Sequence, residues 1–285
     1  MSWRVLLAFT ALSVIWGIPY LLIKLAVAEV APVGVTWCDL ALGAAVLLPM
    51  AWKRRVLRLS KLPKRAICAV ALAQLALPSF LVALGERWIS SSLAGTLLAA
   101  VPLVVILLAP LFGLNEPLGV RRITGFMVGF IGVVVLLGFN PVNGPLEWAG
   151  IACIAVATLG YAAAPLIVQR YLAGVDELGA VAVSLGVATV VLLPGAAWSM
   201  PTSPPSILVL VALGVLGVVC TAFGLLLYFF LIKHAGAARA SVVTYLNPAI
   251  AALLGVAVLH EQFPLSSALG LLLIVVGSWL ATRRD

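Results

Sequence analysis

The residues of this chain that could take part in chemistry are few, and they lie inside long apolar stretches. The lone acidic residue within such a stretch is Asp39, near the start of residues 32–52. A charge at the centre of a bilayer costs about 2.5–3.5 kcal/mol, so Asp39 should face the protein interior. It could balance a cationic group of a solute or bind a proton. Alternatively, it is a shallow, water-reached carboxylate paired with Lys24 or a backbone amide.

Aromatic and hydrogen-bonding side chains cluster on the apolar stretches that contain prolines. Trp16 and Tyr20 are four residues apart and therefore share one helix face. Thr221 and Tyr228, seven residues apart, also share a face. An aromatic-lined cavity with a few hydrogen-bonding groups suits an amphipathic organic solute. The alternative is that these side chains only pack, with their hydroxyls satisfied across helices.

Prolines fall inside several of these stretches, and some recur at equivalent places in the two halves of the chain. A proline inside a helix frees the carbonyl four residues earlier and bends the axis. In hydrocarbon such kinks face protein or a wet cavity, although they can also merely shape packing. The predicted substrate pathway comprises Trp16, Tyr20, Asp39, Gln74, Pro78, Pro102, Tyr161, Pro165, Thr221, Tyr228, Thr244, Tyr245, Asn247 and Pro248.

The elements that must position these residues are transmembrane helices. The chain is 64% hydrophobic and 9% charged, whereas an average soluble domain has about 25% charged residues. A spanning helix needs about 20 apolar residues. The predicted helices cover 3–25, 32–52, 65–85, 91–113, 119–139, 147–170, 178–199, 206–232, 239–259 and 264–282. We therefore predict an all-α polytopic membrane protein with ten transmembrane helices.

The second half of the chain repeats the first. Adding 146 takes Pro19 to Pro165 and Pro102 to Pro248, and Gly224 stands at the position equivalent to Pro78. Each half holds five predicted helices, and because five is odd the halves should enter the membrane in opposite orientations. We predict two inverted five-helix repeats, 1–140 and 141–285, that form one membrane domain. Such repeats are typical of secondary transporters, whose substrate site lies near the bilayer midplane.

The net charge of +8 is a topology signal. Of the 17 lysines and arginines, all but Lys24 and Arg87 fall on one predicted side of the membrane. By the positive-inside rule, both termini are then cytoplasmic, in a multi-pass protein of the plasma (inner) membrane. The basic excess should contact anionic lipid headgroups, and we expect no nucleic-acid partner.

Other chemistries lack their motifs. Cys38, Cys68, Cys153 and Cys220 have no paired spacing, so small buried hydrophobes are expected rather than disulfides or metal ligands. His234 and His260 offer no histidine–glutamate spacing, and no phosphate-binding glycine loop occurs. We therefore predict no catalytic, cofactor or metal site, and no direct use of ATP. A channel or a structural membrane protein remains an alternative.

Small and acidic residues mark the last helices of both halves. Gly125, Gly129 and Gly132 form one stripe, and Gly270 and Gly277 repeat its seven-residue spacing. Such a stripe lets helices approach closely, in a partner chain or within one chain. A homo-oligomer could form, although a monomer is sufficient. Glu116 and Glu261 should cap or tether the amino end of the helix that follows each of them.

Each half resembles one EamA unit of the drug/metabolite transporter superfamily. The shared pattern is an apolar helix with Pro102 or Pro248, then Glu116 or Glu261, then a glycine-containing helix. The resemblance implies ten helices and alternating access, with a central cavity lined mainly by helices one, three, four, six, eight and nine. Helices five and ten would be peripheral.

Within this family the chain is similar to YddG-type exporters of aromatic and other apolar amino acids. Many EamA proteins carry arginine where this chain has Asp39, a departure that fits an amino group or an organic cation better than an anion. The expected function is export of a small-molecule substrate, with amino acids first and organic cations or drugs as the alternative. A proton gradient and facilitated diffusion both remain open as the driving force.

Overall fold

The computed structural model describes residues 3–57, 63–114, 119–138, 144–199, 201, 203–241, 243 and 247–282, and the regular structure among them is entirely helical. The α-helices of the first half are α1 (Trp3–Ile15), α2 (Pro19–Ala26), α3 (Pro32–Lys53), α4 (Lys64–Val70), α5 (Leu77–Gly85), α6 (Ser91–Leu98), α7 (Val101–Leu108) and α8 (Val120–Gly138). Those of the second half are α9 (Pro145–Tyr171), α10 (Glu177–Ser199), α11 (Ile207–Val215), α12 (Gly224–Ala235), α13 (Ala237–Ser241), α14 (Asn247–Leu259) and α15 (Leu265–Thr282).

Single helices, or consecutive helices joined end to end, form runs that are long and apolar enough to cross a membrane. Within the described residues these are Trp3–Ala26, Pro32–Lys53, Lys64–Gly85, Ser91–Phe112, Pro145–Tyr171, Glu177–Ser199 and Ile207–Ala235. Two shorter apolar helices are Ile123–Val135 and Leu265–Gly277. The predicted class, an all-helical polytopic membrane protein, is confirmed.

Prolines affect the helices in two ways. Pro19 and Pro102 each stand in the first turn of a new helix, α2 and α7, after a short break in the run. The first turn of a helix tolerates proline, which lacks an N–H group, because a backbone N–H at that position has no intrahelical partner. Pro165, the repeat counterpart of Pro19, instead lies inside the continuous helix α9. The two halves therefore differ at this pair, with a broken helix in one and an unbroken helix in the other.

Two π-helical segments occur at matching places in the halves. Ala71–Ala76 joins α4 to α5, and Leu216–Phe223 joins α11 to α12. They come just before Pro78 and Gly224, the repeat-related pair singled out in the sequence. A π-helical turn leaves the regular α-helical hydrogen-bond ladder, and such turns are frequent at functional sites.

The glycine stripe lies between two helices of the same chain. α8 packs along α15, and a Cβ atom built on Gly132 would lie 2.7 Å from the backbone nitrogen of Ile274. It would also lie 2.9 Å from the carbonyl oxygen of Gly270. Of the two partners considered for this stripe, the structure therefore shows the neighbouring helix.

The four cysteines are free, as their spacing indicated, but their burial differs from the expectation. Cys220 is buried, whereas Cys38 and Cys153 are half-buried and Cys68 is exposed. The prediction of uniformly buried positions was wrong because an apolar stretch does not reveal which helix faces point outward.

Candidate functional site

One cavity brings together most of the predicted pathway residues. The space free of protein atoms measures about 960 Å³, and this volume includes open solvent at the mouth of the cavity. The predicted residues in its lining are Trp16, Tyr20, Asp39, Gln74, Tyr161, Thr221, Tyr228 and Asn247. They reach the cavity from both halves of the chain. α3 also contributes lining residues, so the second helix joins the set that the family resemblance implied.

The predicted prolines lie elsewhere. Pro78, Pro102 and Pro165 are buried within the helices but are outside the cavity lining. Their effect on the cavity is therefore through the helix backbone. Pro248 is the second residue of α14, and its side chain is outside the described part of the structure. Thr244 and Tyr245 also lie outside the described residues.

Trp16 links the helical run Trp3–Ala26 to the run Ile207–Ala235. Its side chain begins in the break between α1 and α2, and its indole Nε1 donates to the carbonyl oxygen of Cys220 at 2.9 Å. Its ring centroid lies 4.7 Å from that of Tyr228, with the planes tilted by 54°. Gly224 provides the room, since a Cβ atom there would lie 2.5 Å from Nε1. The pair forms an aromatic platform in the cavity wall.

Asp39 is buried in the cavity wall without an ionic partner among the described residues. Its Oδ1 atom has no hydrogen-bond partner, while the Thr221 hydroxyl is the hydrogen-bonding neighbour of the carboxylate. The predicted alternative partner, Lys24, donates instead to the backbone carbonyls of Glu86 at 2.5 Å and Ile89 at 2.8 Å. None of the described lining residues is lysine, arginine or histidine. No basic side chain of the described lining neutralises the Asp39 carboxylate, which is therefore available to a cationic group of a solute.

Close packing fixes the position of Asp39. α3 lies against the π-helical segment Leu216–Phe223, where a Cβ atom on Gly217 would be 2.7 Å from the carbonyl oxygen of Asp39. From the other side, a Cβ atom on Gly43 would be 3.3 Å from both the Gly217 carbonyl oxygen and Thr221 Cγ2. These glycines bring the two backbones together and place Asp39 beside Thr221.

A second polar group of the cavity surrounds two tyrosines. Tyr161 lies 3.4 Å from Ser79 through their hydroxyl oxygens, and Asn247 is the hydrogen-bonding neighbour of Tyr20. Asn247 Oδ1 has no partner of its own among the described atoms. Ser79 was missed from the sequence, although it directly follows Pro78. A serine in an apolar stretch looks the same whether it faces a cavity or bonds to its own helix.

Glu261 caps a helix, but not the one predicted. Its carboxylate accepts hydrogen bonds from the backbone N–H groups of Ser91 and Ser92, at 3.0 and 3.2 Å. Both hydroxyls also donate to it, with the shortest distance 2.6 Å from Ser92 Oγ. The capped helix is α6, in the other half of the chain, rather than α15, which follows Glu261. The helix identity was wrong because the fold brings the end of α14 beside α6. Glu116 lies outside the described residues.

Replacing Glu261 with glutamine should destabilise the protein most clearly near neutral pH. Burial alone would raise the pKa of Glu261, but the hydrogen bonds from Ser92 and Ser91 outweigh it and hold the pKa below its ordinary range. The carboxylate's contribution is therefore present above the unfolded-state pKa and lost as pH falls through the folded-state pKa. We expect a loss of about 1 kcal/mol, because the site is partly exposed and solvent screens the charge.

Thermal unfolding of detergent-solubilised protein at neutral and acidic pH checks this expectation. The difference between wild type and Glu261→Gln should shrink in acid. A difference that stays constant, or grows, at acidic pH would show that the charge of the carboxylate does not stabilise α6.

The chain is similar over nearly its whole length to proteins named as transporters and to a solved structure. An uncharacterized transporter of Archaeoglobus fulgidus is 23% identical over 269 residues, covering 94% of this chain and 95% of that protein. The uncharacterized inner membrane transporter YedA of Escherichia coli is 26% identical over 288 residues, covering 96% and 89%. A protein of known crystal structure matches with a TM-score of 0.74 and 20% identity, covering 96% and 95%, which supports the fold alone.

The family comparison covers both halves. The sequence profile of the EamA-like transporter family matches residues 3–138 and again residues 148–283. Relatives named as transporters favour a membrane transporter over an enzyme. The chain belongs to the EamA-like transporter family and is a multi-pass membrane transporter.

Proposed function

We propose that this transporter exports small amphipathic metabolites that carry an amino group, with amino acids, including aromatic ones, as the first substrate class. The observation that carries this proposal is the unpaired Asp39 carboxylate in a cavity with a Trp16–Tyr228 platform. An ammonium group would meet the carboxylate and an apolar side chain would meet the rings.

The proposal includes ten transmembrane helices in two inverted repeats. Each matched family unit would cross the membrane five times, and an odd number of crossings would reverse the orientation of the second unit. The distribution of lysine and arginine supports cytoplasmic termini in the inner membrane. One chain is a sufficient unit because a single chain supplies the cavity lining. Lipids are the expected surroundings, and no nucleic acid or cofactor takes part.

Alternating access would proceed by rocking of the two repeats about the cavity. In this structure, polar contacts join the two halves of the chain at their predicted outer ends. Glu29 accepts hydrogen bonds at 2.7 Å from both the backbone N–H and the hydroxyl of Ser206, and Glu261 holds Ser91 and Ser92. Outward opening would separate these pairs. The helix break at Trp16 and the two π-helical segments supply the local backbone adjustments that such rocking needs.

Organic cations are the second candidate class, and one observation favours them. The described lining contains Asp39 but no basic side chain. A zwitterionic amino acid would bring a carboxylate for which the described lining offers no counter-charge. A monoamine or organic cation brings only the charge that Asp39 can balance. Burying an unpaired charge is costly, so the two classes should differ measurably in affinity.

Counterflow in proteoliposomes tests both classes with three related solutes. Phenylalanine has a ring, an amine and a carboxylate, whereas phenylethylamine lacks the carboxylate and 3-phenylpropionate lacks the amine. We expect saturable exchange of the two amines and none of 3-phenylpropionate. Exchange of phenylethylamine alone would assign the transporter to organic cations. Exchange of 3-phenylpropionate alone, or of none of the three, would contradict an amine-binding carrier.

A further inference from the structure

A second buried carboxylate lies outside the cavity, at the end of α5. Glu86 directly follows this helix and is completely buried. Neither carboxylate oxygen has a hydrogen-bond partner among the described atoms. Buried carboxylates are normally paired or hydrogen-bonded, because an isolated buried charge is very unfavourable. The arrangement suits a neutral, protonated acid better than a carboxylate anion.

Lys24 interacts electrostatically with this carboxyl group but makes its hydrogen bonds elsewhere. Lys24 Nζ donates to the backbone carbonyl of Glu86 itself and to that of Ile89, rather than to the acid. Lys24 therefore closes the turn after α5 and is held there by two carbonyl groups. Its ammonium still lowers the energy of the anion from nearby, which makes deprotonation attainable when the site changes.

The other ionisable groups around Glu86 come from several elements. Tyr20 of α2 and Tyr161 of α9 interact electrostatically with it, and α3 contributes Asp39, which also interacts with Tyr161. Glu261, beyond α14, adds negative charge. Burial first, with Glu261 adding to it, raises the pKa of Glu86 well above its usual range, while Lys24 opposes the rise. The two acids are thus shifted in opposite directions: the pKa of Glu86 is raised by burial, whereas hydrogen bonds hold that of Glu261 below its ordinary range.

Its position connects the cavity with the contact between the repeats. Val82 and Ala83, one helical turn before Glu86, line the cavity. The same turn continues into Ser91 and Ser92, which Glu261 holds from the other repeat. A Cβ atom on Gly85 would lie 3.0 Å from the Gly150 carbonyl oxygen, so the turn is packed against α9. A movement that separates Glu261 from α6 must therefore change the surroundings of Glu86.

We propose that Glu86 carries the proton that this transporter exchanges for its substrate, an inference that rests on the proposed carrier function. In the arrangement seen here the carboxyl O–H is buried. When the cavity opens inward, the O–H bond breaks and the proton passes to cavity water. When the outer contact opens, water on that side returns a proton to the carboxylate. One proton then enters the cell as one substrate molecule leaves, and Asp39 is kept for the substrate.

Infrared spectroscopy tests the proton site without any substrate. We expect the spectrum of wild type minus Glu86→Gln, at neutral pH, to contain the C=O stretching band of a protonated carboxylic acid. Glu86→Gln is nearly isosteric with the protonated acid and should fold normally. The matched control is Glu261→Gln, which should leave the band in place because Glu261 is ionised. Absence of the band from the wild-type difference spectrum would overturn the proposal.

Transport assays test the coupling. In proteoliposomes, Glu86→Gln should keep wild-type counterflow of amines but lose substrate accumulation driven by a pH gradient. Glu86→Asp, which retains an acid, should recover part of that accumulation. Gradient-driven accumulation by Glu86→Gln at the wild-type level would overturn the proposal, as would wild-type accumulation that follows a sodium gradient instead. Absence of amine counterflow in the wild type would refute the proposed function itself, and the infrared band would then decide the proton site alone.

Discussion

Asp39→Asn is expected to weaken amine exchange by about 10- to 100-fold in the solute concentration that gives half-maximal counterflow. The asparagine side chain has nearly the same size and leaves the packing of α3 unchanged. It removes the negative charge that would bind the ammonium group, and hydrogen bonds to charged groups contribute about 1.5–3 kcal/mol. Counterflow of phenylethylamine over a range of concentrations measures the change.

A matched control separates the charge from its surroundings. Thr221→Val removes the hydroxyl beside Asp39 but keeps the carboxylate. We expect it to alter exchange by less than Asp39→Asn does. Membrane insertion of both variants should match that of the wild type. Unchanged exchange by Asp39→Asn at normal expression would show that Asp39 does not bind the substrate.

Gly217→Ala should destabilise the protein by about 1–3 kcal/mol, the usual cost of forcing an extra carbon into a packed interior. The new Cβ atom would lie 2.6 Å from Leu42 Cβ and 2.7 Å from the Asp39 carbonyl oxygen. Neither neighbour is the free end of a flexible side chain, so α3 and the π-helical segment would have to separate. Thermal unfolding in detergent measures the loss as a lower midpoint temperature.

Gly214→Ala is the control for this substitution. It lies one turn earlier on the same run, and a Cβ atom there would meet nothing within 4 Å. The same chemical change should therefore be neutral or slightly stabilising, because alanine restricts the unfolded chain more than glycine does. Equal midpoint temperatures for the two variants would contradict the close contact between α3 and the segment Leu216–Phe223.

The helical runs could be predicted from the sequence because membrane spans depend on local composition. A long apolar stretch must satisfy its own backbone hydrogen bonds in hydrocarbon, and a helix does so within one segment. The predicted stretch 32–52 and the observed α3, Pro32–Lys53, agree closely for this reason. The π-helical segments could not be predicted, since an added residue in a helical turn leaves no compositional trace. The matching Pro78 and Gly224 gave their approximate places.

Contacts between distant segments account for what the sequence did not reveal. Lys24 was a predicted partner of Asp39, but in the fold its ammonium group donates to the backbone carbonyls of Glu86 and Ile89. Glu86 stands one residue beyond the predicted helix 65–85, and nothing in the local sequence indicates that it is completely buried. Glu261 was correctly expected to cap a helix, yet its partner lies about 170 residues away. Local patterns give the type of interaction, whereas tertiary packing decides its partner.

Much of the cavity could be anticipated from residue type. Aspartate is costly against lipid, and the O–H of tyrosine and the N–H of tryptophan need hydrogen-bond partners there, so these residues in apolar stretches indicate an interior face. Trp16, Tyr228 and Asp39 all follow this rule. Ser79 does not stand out in the same way, because a small hydroxyl can be satisfied by its own helix.

A structure of the protein with bound phenylethylamine tests the central claim most directly. We expect the amine nitrogen within about 3 Å of an Asp39 carboxylate oxygen, the usual distance for a charge-assisted hydrogen bond. The phenyl ring should lie against Trp16 and Tyr228. A ligand bound outside this cavity, or one whose amine lies away from Asp39, would contradict the assignment of the cavity as the substrate site.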